Sequence, residues 1–167
     1  SNDIIIEAVR NGDFDTGNFT DWQTSGLLRK AVVPAEGPLG TSILSARLGS
    51  PEYGPSVEDP GQVPVGSATI TQTIVVPALD QVPTPTLSFW YRVYSYDVMF
   101  SQRLQRYVDT LEVSLLDGSG NQVALLMRKG NPTNTYGVLY DSGWQWETID
   151  MTPYAGQTLQ LSFAKIG

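Results

Sequence analysis

The chain has 167 residues, 41% hydrophobic and 16% charged, with 10 basic against 17 acidic side chains and a formal charge of -7. That balance is too apolar for a disordered acidic tail, no run approaches the ~18 apolar residues of a spanning helix, and negative charge opposes phosphate backbones and anionic lipid, so neither nucleic acid nor membrane insertion is expected. With His 0 and Cys 0, imidazole or thiolate nucleophiles, thiolate zinc sites and disulfides are excluded, leaving carboxylates, Lys, Tyr, Ser and Thr for catalysis and oxygen ligands, suited to calcium, for metals.

Ser1-Asn2 has the look of an expression-tag remnant, and residues 3–167 read as one domain. Helical periodicity is nearly missing. Alternating or β-branched runs between clusters of Gly, Pro, Asn and Asp predict strands at 4–9, 19–25, 27–33, 42–48, 67–76, 86–94, 110–116, 122–128, 145–150 and 157–164. Asp117-Gly118-Ser119-Gly120-Asn121, with apolar alternation on both sides, predicts a hairpin turn. Long connections fall at 49–66, 95–109 and 130–143. Strands of this number and length fit an all-β fold of two antiparallel sheets packed as a β-sandwich or jelly roll.

Alternation then assigns faces. Leu87, Phe89, Tyr91 and Val93 share one side of their strand and Trp90, Arg92, Tyr94 and Tyr96 the other. The aliphatic set is the better core face. Leu111, Val113 and Leu115 point inward together, as do Leu159, Leu161 and Phe163. Gln72 shares the face of Ile70 and Ile74, so its amide is expected to be buried and hydrogen-bonded.

The segment Asn11-Gly12-Asp13-Phe14-Asp15, followed by Gly17, Phe19 and Trp22, resembles the opening of bacterial carbohydrate-binding-module-like, galactose-binding-like jelly rolls. Residues 68–76 around Gln72, the strand Leu87-Ser88-Phe89-Trp90-Tyr91-Arg92, residues 109–116, and Trp146 through Asp150, Met151, Tyr154, Ala155 and Gly156 to Leu161 and Phe163 are similar in the same order. The set is also similar to MAM-like accessory domains. Such jelly rolls end on a further strand with an Asp-Asp-Val motif that has no counterpart here, so one sheet is expected to present an open edge able to recruit a second copy. The resemblance implies a structural calcium near Asp15, helped by Asp13; the alternative is an Asx-rich turn bonding its own backbone.

Among binding candidates, Trp22 matches a core position. Trp144 and Trp146 share a face, as core, sheet-edge or sugar-contact residues. The stripe Trp90, Arg92, Tyr94 and Tyr96 reads either as a flat row for a chain-like ligand or as the inner face of the second sheet. The neighbouring loop, with Met99, Phe100, Arg103, Arg106 and Tyr107, is apolar and basic in an acidic chain, which reads either as contact with a partner or an acidic sugar or as a lid folded over the sandwich with its apolar side chains buried. Paired catalytic carboxylates are not evident: Asp109 and Glu112 have odd spacing, as do Glu147 and Asp150. The expected function is a non-catalytic carbohydrate-binding accessory module of a larger secreted or surface bacterial protein. A MAM-like protein-interaction module docking a neighbouring domain and a carboxylate-dependent glycoside hydrolase are the alternatives.

Overall fold

The computed structural model describes residues 7–49, 66–133 and 135–167. Residues 4–6 of the first expected strand lie outside them, and residues 7–9 are not in a strand. The described strands are β1 (Gln23–Ser25), β2 (Lys30–Glu36), β3 (Ser42–Leu48), β4 (Ser67–Val75), β5 (Thr86–Tyr91), β6 (Tyr94–Ser95), β7 (Phe100–Ser101), β8 (Arg106–Tyr107), β9 (Thr110–Leu116), β10 (Gln122–Lys129), β11 (Tyr140–Asp141), β12 (Gln145–Asp150) and β13 (Thr158–Ile166). Every pairing is antiparallel, and no α-helix occurs among the described residues. The fold is an all-β sandwich.

One layer is a continuous sheet in the order β1-β4-β13-β9-β10. Its strands alternate as a sheet with one packed face must. Ala68, Ile70, Gln72 and Ile74 of β4, Val113 and Leu115 of β9, and Leu159 and Leu161 of β13 are all buried. The β9–β10 hairpin turns where predicted. Asp117 accepts the backbone N–H groups of Ser119 and Asn121, each at 2.9 Å, and those bonds hold its carboxyl below the usual range.

The facing layer is made of separate pairs, β2–β3, β5–β12 and β6–β11. Its inward side chains Ala46, Leu48, Leu87, Phe89, Tyr91 and Ile149 pack on the core without being fully buried. Phe89 meets Phe163 of the first layer edge to face, ring centres 5.1 Å apart. Trp22 fills the core as expected, at 8% exposure, with its ring N–H donating to the Asn11 carbonyl at 3.0 Å. Phe14 packs on Trp22 and Phe19 from a left-handed backbone, φ 59°, unusual for a bulky residue.

Gln72 is 2% exposed and clasps Arg10, accepting its N–H at 2.7 Å and donating to its carbonyl at 2.8 Å. Two predicted strands begin later than their patterns. Only the end of 19–25 is strand, because the Trp22 N–H bonds the Phe19 carbonyl in a turn. The strand expected from 27 begins at Lys30, because the chain turns at Gly26 and the Leu28 N–H is taken by the Ser67 carbonyl.

Candidate functional site

The outer face of the β5–β12 ribbon carries the exposed aromatic residues. Trp90 and Trp146 are directly opposed across the two strands, with ring centres 5.1 Å apart and planes at 52°. They are 44% and 54% exposed, so the face expected to be either a binding row or a buried inner face is open. Leu87, Phe89 and Tyr91 take the core side, as read from the alternation. Burial raises the Tyr91 phenol pKa, with Glu147 adding to the shift.

The row is not one strand, a correction to the expected run through 94. β5 stops at Tyr91, opposite Gln145, and pairing resumes at Tyr94, opposite Asp141. Three residues, Ser142, Gly143 and Trp144, therefore face two, Arg92 and Val93, which is the count of a β-bulge. Gly143 supplies a φ of 63°, and Val93 bonds Ser142 instead of a ladder partner, donating to its hydroxyl at 2.8 Å and accepting its N–H at 3.0 Å. The bulge carries Arg92 to Asp141 in a two-pronged pair at 2.9 and 2.7 Å. That hydrogen bond, with help from the Gly143 N–H, keeps the Asp141 carboxyl below its ordinary range. The Arg92 guanidinium also lies 4.8 Å from the centre of the Tyr94 ring, which is 49% exposed. Tyr96 is half-buried, its carbonyl accepting the Gly137 N–H.

The basic loop does not extend this row. Its centre is a short hairpin, β7 with β8, in which Phe100 and Tyr107 meet edge to face with ring centres 5.1 Å apart. Tyr107 lies beneath Arg128 of β10, 4.0 Å from the ring centre, and Arg128 pairs with Glu112 at 2.7 Å. Arg103 and Arg106 are exposed on this hairpin, so the candidates fall into two groups, Trp90, Arg92 and Tyr94 in one and Arg103, Arg106 and Tyr107 in the other. The loop is tied down where it begins and ends: the Ser95 hydroxyl bonds the Asp109 carboxylate, which also pairs with Lys165. Trp146 and Asp141 complete the first group, and no pattern in the sequence singles out Asp141. Trp144, although two residues from Trp146, donates its ring N–H to the Glu36 carbonyl at 2.9 Å and joins the β2–β3 hairpin to this end of β12.

In the loop after Asn11, Asp13 accepts the Asp15 N–H at 3.1 Å, the Asx-type bond expected as the alternative to a metal. The Asn11 amide donates to the carbonyls of Asn18 and Thr20 at 3.1 and 2.8 Å. A calcium ion there competes with that amide for the two carbonyls, and no group of three acidic side chains converges among the described residues.

No family model matches the chain, and no curated protein matches it. Among solved structures the fold is similar to the K3 cleaved adhesin domain of Lys-gingipain from Porphyromonas gingivalis, with 16% identity and a TM-score of 0.50, over 96% of this chain and 89% of that one. A second similarity, to the enzymatically active domain of tailspike protein 4 of bacteriophage CBA120, has 16% identity and a TM-score of 0.43. It covers 95% of this chain but 19% of that one. At such identity the likeness concerns the fold: a β-sandwich like that of an adhesin domain, without singling out carbohydrate-binding modules.

Proposed function

We propose that the chain is a non-catalytic accessory module that binds an oligo- or polysaccharide along the row Trp90, Trp146 and Tyr94. The observation that carries this is the open indole pair, two large apolar rings in register on the outer face of a two-stranded ribbon. Water-exposed aromatic surface of that size is unfavourable unless something covers it, and the face of an indole matches the C–H face of a pyranose. Arg92 and Asp141, locked to each other beside the rings, offer remaining donors and acceptors to sugar hydroxyls. The non-catalytic part rests on the side chains at hand. Hydrolysis of a glycoside needs two carboxylates facing each other across a cleft, while the row Trp90, Trp146 and Tyr94 with Arg92 carries one, Asp141, held by Arg92. A secreted or surface location belongs to the same proposal.

Calorimetric titration with a panel of soluble glycans tests it, using the whole chain and its Trp90→Ala and Trp146→Ala variants. The expected result is a glycan that binds the parent and loses about tenfold or more with either substitution, the scale of one lost aromatic contact. Absence of any millimolar binder, or binding indifferent to both changes, rejects the reading. The exposed Leu104 and Tyr107 of the β7–β8 hairpin favour, as a second reading, docking to a second copy of this chain. Concentration-dependent mass by light scattering, abolished by Leu104→Ser, is its signature.

A further inference from the structure

The aromatic row is bent in two places. Trp90 and Trp146 oppose each other across β5 and β12 with ring centres 5.1 Å apart, yet their planes are inclined at 52°. Two rings so inclined cannot both lie flat against one plane. They also pack on each other, so turning them coplanar gives up that contact. The second bend lies between the indoles and Tyr94, where Ser142, Gly143 and Trp144 form the bulge. A bulge kinks its strand and adds to the twist of a ribbon. This kink is fastened from both sides. Arg92 grips the Asp141 carboxylate at 2.9 and 2.7 Å, and the Gly143 N–H donates to the same group at 2.9 Å. Tyr94, beyond the bulge, is held by the Arg92 guanidinium 4.8 Å from its ring centre.

We propose that the row selects a glycan whose successive rings are inclined to one another, the class of helical α-linked glucans such as amylose, over flat β-linked chains and crystalline polysaccharide surfaces. The inference rests on the reading of this row as a sugar site and names its ligand class. In an amylose-type chain the axial bond at each linkage turns the next pyranose, so the chain coils and consecutive C–H faces stand at an angle. In a cellulose-type chain both linkage bonds are equatorial, so consecutive rings are nearly coplanar and the chain runs straight. The coiled chain can cover both indoles and follow the kink to Tyr94. The straight one covers a single indole and then leaves the row, and a crystalline face meets the same obstacle over a wider area. The difference between the two classes is therefore about one aromatic contact.

Calorimetric titration of the whole chain with maltohexaose and with cellohexaose tests this, because the two are isomers that differ only in linkage. Maltohexaose is expected to bind at least about fivefold more tightly, and crystalline cellulose to retain none of the chain in a pull-down. Trp146→Ala leaves one indole, which either isomer can cover, so its loss falls on maltohexaose and brings the ratio of affinities close to one. That ratio does not move when a side chain merely supports the fold. Equal affinities in the parent, tighter cellohexaose, retention on crystalline cellulose, or a ratio unchanged by Trp146→Ala overturns the inference. Where another glycan binds the row and maltohexaose does not, the ligand class is wrong and the sugar reading stands. Where no glycan binds at millimolar concentration, both fall.

Discussion

The two layers of this sandwich are built from similar residues but closed to different degrees. In the continuous sheet, Val113, Leu115 and Leu161 are 0% exposed. Across from them β2, β3, β5 and β12 hold no fully buried residue. Each inner strand of the first layer has a neighbour on both edges, so its side chains are shielded laterally as well as from above. Among the described residues the second layer is divided into pairs, and its inward side chains have a strand beside them on one flank. Hydrophobic pattern thus sets which way a residue points, while sheet continuity sets how much of that residue leaves water.

The sharpest way to break this comparison is a matched truncation. Leu161→Ala is expected to destabilise the fold by about 3–5 kcal/mol, the range for a fully enclosed leucine, whereas Leu87→Ala costs about 1–2 kcal/mol because its site is already open to solvent. Urea unfolding of both variants measures the gap, and equal losses erase the distinction. Next in size is Gln72→Leu. Removing the amide strands the Arg10 N–H and carbonyl, at a cost of about 1–3 kcal/mol, and is expected to increase proteolysis near residues 7–11 relative to the parent.

Regular strands were legible in the sequence whatever their number of ladder neighbours. The predicted strands 110–116, 42–48 and 145–150 coincide in extent with β9, β3 and β12, since an alternating run bounded by turn residues can be read without knowing which strand lies beside it. Gln72 was legible too, because a polar residue in an apolar stripe has to find a partner. The break after Tyr91 was not. Its cause, one extra residue between Asp141 and Gln145, lies fifty residues downstream in the opposite strand, beyond any local pattern. Trp146 had an evident face but no readable depth: spacing of two tells a residue's side, and the layer outside it decides whether that side is wet. The separation of Arg103, Arg106 and Tyr107 from the Trp90 row was equally hidden, because it follows from the contact of Tyr107 with Arg128 on β10.

Smaller effects belong to the outer face of the second layer. Trp90→Ala is expected to lower stability by about 0.2–1 kcal/mol, the range for a cross-strand pair, measured by the same urea experiment. A loss beyond that range makes the pair part of the fold's support. Acid gives the smallest change. The Asp141 pKa is depressed by Arg92, so its contribution is present above the carboxylate's unfolded pKa and declines as pH falls through the lower folded value. Thermal melts of the parent are therefore expected to soften below about pH 4, and Asp141→Asn to flatten that part of the profile.

The uneven placement of the indoles has an optical consequence. Trp22 is buried, Trp90 and Trp146 stand in water and Trp144 is half-buried, so with Trp144 replaced by Phe the buried and exposed emitters separate by colour and by access to a quencher such as iodide. A chain carrying Trp22 alone reports on global melting through a red shift of a blue emitter, and the surface pair reports on whatever covers it. One small protein thereby contains two independent built-in dyes, without labelling.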